Sequence, residues 1–186
     1  MRLSGGEGKG RRLADPPDGV RPTSGRVKDS LFNSIAALLP GSRVLDLYAG
    51  SGALGIEAIA RGAASATFIE IDRKVQRVII ENLQRCGFQE RSELIEGDVL
   101  KMLKQPYRLH GPFDLVFADP PYADSDFAEV MTLLQQGELV APDGLVIFEA
   151  SSRAKLSVPG GWSQRKRQEI GDTAMYFLEP DVDVES

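Results

Sequence analysis

Apolar and polar positions change period several times along the chain, and each change predicts a different element. Val27, Leu31, Ile35, Leu38 and Leu39 recur at helical spacing, with Thr23 or Ser24 as the N-cap and Pro40 as the stop. Val44, Leu45 and Leu47 then form a short apolar run that predicts a buried strand. It ends in a turn carrying Gly50, Gly52 and Gly55, and Ile56, Ala58 and Ile59 open a helix that closes at Gly62. The alternation continues with a strand over 66–71 and a helix capped by Asp72, whose apolar face is Val75, Val78, Ile79 and Leu83 and whose end is Gly87. Leu94 and Ile95 predict a short third strand, residues 100–104 a helix, 113–118 a fourth buried strand, 127–136 a helix and 145–148 a fifth strand. Two strand-like runs around Gly171 and Asp172 predict a terminal antiparallel hairpin.

Strands alternating with helices predict an α/β protein with a Rossmann-like, mostly parallel sheet of seven strands, helices on both faces and the hairpin at one edge. In such sheets ligands bind outside the carboxyl ends of the strands. Asp46, Glu70, Asp98 and Asp119 all fall at strand ends, so the pattern gathers them on one rim.

Composition narrows the class. The chain has 186 residues, 42% of them hydrophobic, which suits one core-forming domain, and no apolar run reaches the ~18 residues of a membrane span. The polar, glycine-rich N-terminus does not read as a signal peptide. Cys86 is the one cysteine, which excludes an intrachain disulfide and a cysteine-based metal site. A cytoplasmic, metal-free protein is the expectation. The net charge of −5 is unevenly placed: residues 1–28 carry +4 and the remainder −9. A basic arm on an acidic body marks a contact with a polyanion, with a solvated terminus as the plainer alternative. The expected organisation is a basic N-terminal arm or hairpin over 1–22, its glycines favouring looseness, and a single domain over 23–186.

Gly50, Gly52 and Gly55 satisfy the spacing of a dinucleotide fingerprint, and Glu70 lies near the ~20-residue offset of a ribose-binding acid. Asp46 at the mouth of the turn points elsewhere, because a carboxylate repels a diphosphate. It suits a ligand with an ammonium tail and a sulfonium centre, S-adenosyl-L-methionine. Asp119, Pro120, Pro121 and Tyr122 form the second motif. An exocyclic amine of a nucleobase is a poor nucleophile because its lone pair is delocalised into the ring. Acceptors that hold its N–H bonds push the nitrogen towards a tetrahedral geometry, and the Asp119 carboxylate and Pro120 carbonyl are such acceptors. Tyr122 offers a face on which an unpaired base stacks.

The stretch from Val44 to Ala58, followed by Phe117 to Tyr122, resembles the class I S-adenosylmethionine-dependent amino-methyltransferases of nucleic-acid bases. Gly10 to Leu13, Arg21-Pro22-Thr23 with Arg26-Val27, and Leu31-Phe32-Asn33 resemble more narrowly the bacterial 16S rRNA guanine-N2 methyltransferases. Gly25 stands where the family pattern carries an acid. The resemblance implies a monomeric enzyme that methylates the N2 amine of a guanine in 16S rRNA, naked or within the small ribosomal subunit, and releases S-adenosyl-L-homocysteine. It implies that Asp46, Gly50 and Gly52 meet the methionine part of the cofactor, Glu70 its ribose and Asp98 its adenine, with Tyr48 also against the cofactor. Asp119, Pro120 and Tyr122 then serve the guanine, and Arg11, Arg12, Arg21, Thr23 and Arg26 the RNA, with Arg165, Lys166 and Arg167 as a second patch. His110 reads as a surface residue and Trp162 as hairpin packing. An adenine-N6 or DNA enzyme, a dinucleotide oxidoreductase and a non-catalytic RNA-binding protein stay open as alternatives.

Overall fold

Leu3 and Leu13 anchor the start of the chain. In a computed structural model, which describes residues 1–15, 24–121 and 123–181, both leucines are buried. Arg2 bridges to Arg12, the Leu3 N–H donates to the Arg11 carbonyl, and the Leu13 N–H donates to that of Met1. Of the two conformations the glycines left open, the described part of the arm takes the hairpin, because two apolar side chains hold it to the core. Arg21, Thr23 and Tyr122 lie outside the described residues.

Helix α1 (Gly25–Ser34) is capped by Ser24, whose hydroxyl accepts from the Val27 N–H at 3.3 Å, so the helix start is fixed without an acid at Gly25. The helical run predicted to reach Leu39 stops earlier. Ile35 leaves the helical region with φ −111° and a short 3-10 turn covers Ala36–Leu38. Val27, Leu31, Ile35 and Leu39 are buried, but Leu38, predicted on the same face, is exposed at 37%, because the tighter 3-10 turn before Pro40 rotates it out to solvent.

Then follow β1 (Arg43–Leu47), α2 (Ala53–Ala60), β2 (Ser65–Glu70), α3 (Arg73–Cys86), β3 (Ser92–Glu96), α4 (Val99–Leu103), β4 (Phe113–Ala118), α5 (Ala123–Gln136), β5 (Val140–Ser151), β6 (Trp162–Ile170) and β7 (Thr173–Pro180). Asp72 caps α3 by accepting from the Lys74 and Val75 N–H groups, and Gly87 ends it with φ +74°. Helix α5 starts four residues before the predicted position. Its polar first turn hides it from periodicity, and Asp124 and Asp126 there favour the positive end of the helix dipole. Strand β5 is longer than predicted at both ends, and its pairing with β4 shifts register between Phe113 and Leu115.

The strands lie in the order β3-β2-β1-β4-β5-β7-β6. Neighbours are parallel from β3 to β5, and β7 runs antiparallel to both β5 and β6. The arm, α1, α2 and α3 cover one face, while α4 and α5 cover the other. Trp162 donates its indole N–H to the Met131 carbonyl, fixing the hairpin against α5. Chain order reverses between β1 and β4, and there the carboxyl ends of two adjacent strands open a crevice.

Candidate active site

The β1–α2 turn is tight because its glycines leave no room for a side chain. Gly52 has φ +76°, and a Cβ there would meet Ile56 Cδ1 at 3.2 Å and Ile79 Cγ2 at 3.3 Å; one on Gly55 would overlap the Phe68 ring. Asp46 sits beneath this turn with 2% of its surface exposed, and its Oδ2 accepts from the Gly55 N–H at 2.9 Å. Burial pushes the Asp46 carboxyl up to about 8. The Gly55 N–H offsets part of this, and the charges of Asp119 and Glu70 add to it. Asp46, Asp119 and Glu70 thus share one electrostatic environment. Near neutral pH Asp46 largely keeps its proton, so it opposes an anionic ligand less than its sequence position suggests.

Glu70 supports the turn from the next strand: Oε2 accepts from the Gly50 N–H at 3.0 Å and Oε1 from the Asp72 N–H at 2.9 Å. Asp98 caps α4, accepting from the Lys101 N–H at 2.9 Å. Tyr48 has φ +57°, uncommon for a side-chain-bearing residue, and its hydroxyl donates to Asp126 at 3.4 Å. Burial and then the Asp126 charge raise its phenol. Tyr48 therefore links the turn after β1 to the first turns of α5.

Across the switch point, Leu47 pairs with Ala118, which sets the residues after β1 beside those after β4. Asp119 is half-buried and Pro120 buried. Asp124 and Phe127, in the first two turns of α5, and Lys155 and Leu156, after β5, line a groove of about 440 Å3.

Three features escape sequence periodicity. Ile71 is 63% exposed between the rim acid Glu70 and the helix cap Asp72; an apolar residue between acids at a strand end was the available signal. Glu57, wholly buried in α2, takes Lys28 Nζ at 2.7 Å and Arg61 Nε at 2.8 Å, and accepts from the Ser4 and Gly5 N–H groups. Burial pushes its carboxyl up, but the hydrogen bonds from Lys28, Arg61 and Ser4 prevail and hold it below its usual value. Its signal was a lone charge within an otherwise apolar helix. Asn82 of α3, also wholly buried, donates from Nδ2 to the Ser51 carbonyl at 3.0 Å.

The arm's charge is redistributed by these contacts. Lys28 is consumed by Glu57, and Arg11 donates to the Arg85 carbonyl at 2.7 Å, while Arg11, Arg12 and Arg26 stay exposed. On β6, Lys166 turns to Ser34 of α1 and Arg167 to the Ser152 carbonyl, so the second basic patch is divided between the two faces. Among the described residues no cluster of three or more His, Cys, Asp or Glu could hold a metal ion, and no helix is long and apolar enough to cross a membrane.

Residues 1–179 match the family described as Conserved hypothetical protein 95. The chain belongs to that family. Relatives of this family member include the ribosomal RNA small subunit methyltransferase D of Escherichia coli K12, 34% identical over 190 residues and covering 100% of this chain and 93% of that one. The protein of the same name from Haemophilus influenzae is 36% identical over 174 residues, 92% and 89% of the two chains. The solved structure of Escherichia coli yhhF superposes with a TM-score of 0.87 at 34% identity, covering 97% of this chain and 98% of that one. The family member's fold is that of the class I methyltransferases.

Proposed function

We propose that this protein transfers a methyl group from S-adenosyl-L-methionine to the N2 amine of a guanine in 16S rRNA. The observation that carries the reading is the placement of the β1–α2 glycine turn and the Asp119-Pro120 motif on adjacent strand ends at the switch point, in a chain whose full-length relatives bear the name ribosomal RNA small subunit methyltransferase D. The residues fit the cofactor. Gly50 and Gly52 turn the chain sharply with φ +56° and +76°, Asp46 beneath them has no cationic partner among the described residues, and Ile71 offers an uncovered apolar surface to a purine ring. Gly50, Gly52 and Tyr48 hold the methionine part, Asp46 acts on it through the turn, and Glu70 and Ile71 meet the nucleoside, with Asp98 at the adenine end.

When bound, S-adenosylmethionine supplies a methyl group on a sulfonium whose charge is lost on transfer, so a dry site favours the reaction. The chain prepares the amine. Asp119 and the Pro120 carbonyl accept its two N–H bonds and free the nitrogen lone pair, while the fixed φ of Pro120 and Pro121 keeps those acceptors in place. Tyr122 provides the stacking face, and the groove between α5 and the segment after β5 receives the rest of the base. Arg12, Arg26, Arg11, Arg21 and Thr23 contact RNA phosphates and sugars. The protein acts in the cytoplasm as a monomer, on rRNA within the assembling small subunit, with the arm over 1–22 serving the single domain over 23–186.

The test is transfer of labelled methyl to small ribosomal subunits, naked 16S rRNA and duplex DNA, with the modified nucleoside identified by mass spectrometry. N2-methylguanosine is expected from rRNA or subunits; N6-methyladenine, or no transfer at all, overturns the reading. Asp119→Ala lowers turnover by more than about 100-fold and leaves affinity for S-adenosylhomocysteine unchanged.

A further inference from the structure

Asn82 joins two parts of the molecule assigned above to different ligands. Its Oδ1 accepts from the Ala14 N–H at 2.6 Å, and its Nδ2 donates to the Ala14 carbonyl at 3.2 Å and to the Ser51 carbonyl at 3.0 Å. Ser51 lies between Gly50 and Gly52 in the cofactor turn. Ala14 follows Arg11, Arg12 and the core-anchored Leu13 in the arm. Both amide donors and the acceptor are thus engaged in a site closed to water. An amide group that lost either neighbour would be left unpaired in the core, an outcome the fold resists. The turn and the arm therefore cannot shift independently at this point.

We propose that Asn82 is a positioning residue that makes cofactor binding and RNA binding cooperative. The inference rests on reading the turn as the cofactor site and the arm as an RNA contact. A cofactor that fixes the turn fixes the Ser51 carbonyl, and through one carboxamide it fixes Ala14 at the base of the arm. RNA that fixes the arm acts in reverse, because linkage between two binding sites is reciprocal. Glu57 holds the arm separately at Ser4 and Gly5, so removing the Asn82 link leaves the arm attached and alters its register beside the turn.

The test compares wild type, Asn82→Ala and Ala14→Pro, the last deleting the N–H that Asn82 accepts. Affinity for S-adenosylhomocysteine is measured with and without saturating small ribosomal subunits, and affinity for the subunits with and without S-adenosylhomocysteine, with naked 16S rRNA in parallel. In wild type each ligand tightens the other by at least about fivefold, by the same factor in both directions. In both variants the factor falls towards one while thermal unfolding stays cooperative. Should Asn82→Ala fail to fold, Ala14→Pro reads the same link from the arm side. A wild-type factor of one, or a factor that survives in the variants while both affinities fall together, overturns the proposal and leaves Asn82 as packing. Wild type that couples weakly yet yields N2-methylguanosine defeats only this inference. Wild type that binds S-adenosylhomocysteine but neither binds nor methylates 16S rRNA, naked or in small subunits, defeats the functional reading, and the inference with it.

Discussion

Asp46 and Glu57 stand at the two sides of the turn into α2, both shielded from water, and their surroundings treat them in opposite ways. Glu57 is met by two cations, Lys28 and Arg61, and by backbone N–H groups of the arm, and it stays ionised. Asp46 has the Gly55 N–H and, beyond it, two further anions, Asp119 and Glu70, and it holds its proton up to about 8. Desolvation disfavours both charges equally in kind. The difference lies in who supplies the counter-charge. Where the chain supplies it, the carboxylate is architecture and ties α1, α2 and the arm together. Where no described residue supplies it, the carboxyl keeps its proton instead.

The largest effect is expected from breaking the satisfied site. Glu57→Ala leaves Lys28, itself 1% exposed, as an uncompensated buried cation, and destabilises the protein by about 3–5 kcal/mol in urea unfolding. A loss below about 1 kcal/mol would show that water reaches Lys28 and that the site is not closed.

The comparison is sharpened next by pH. Glu57 titrates lower in the folded protein than the ordinary 4.5, so its stabilisation is present above that value and disappears as pH falls through its folded pKa. Asp46 behaves in the opposite sense. Between 3.8 and about 8 the folded protein holds a proton that the unfolded chain releases, so stability declines as pH rises across that window, by up to about 1.4 kcal/mol per unit. Asp46→Asn keeps an acceptor for Gly55 and removes the decline. Melting curves of variant and wild type at several pH values from 5 to 9 check this, and parallel curves would contradict it.

The smallest effect concerns the ligand. S-adenosylmethionine carries a sulfonium that S-adenosylhomocysteine lacks, so the ratio of their affinities rises with pH as Asp46 ionises. The field acts through the turn, and a change of about threefold, ~0.7 kcal/mol, is expected. Calorimetric titration of both ligands into wild type and Asp46→Asn measures it, the ratio in the variant being flat.

Much of this arrangement was legible in the chain. The period-switching pattern placed β4 at 113–118, Asp72 and Gly87 bounded α3, and the alternation of elements put Asp46, Glu70, Asp98 and Asp119 at strand ends. These are local signals, carried by neighbours within a few residues. Partnership was not legible. Glu57 and Asp46 are each one acid in an apolar stretch, and what separates them is Lys28 and Ser4, brought from elsewhere in the chain. Asn82 reads as an ordinary polar position of α3, because its partners, Ala14 and Ser51, adjoin it only in the folded protein. The start of α5 was missed for a different reason: its first turn is polar and helical periodicity has nothing there to register.

The arm has one further consequence, which concerns the order of assembly. Its docking waits on residues further along the chain, since Ser4 bonds to one 53 positions later and Ala14 to one 68 positions later. Until α2 and α3 have emerged, the arginines belong to a basic tail with nowhere to settle. Only a chain that has already built α2 and α3 can hold Arg11 and Arg12 on an ordered surface, so that basic surface is itself a product of folding and not of the arm's own sequence.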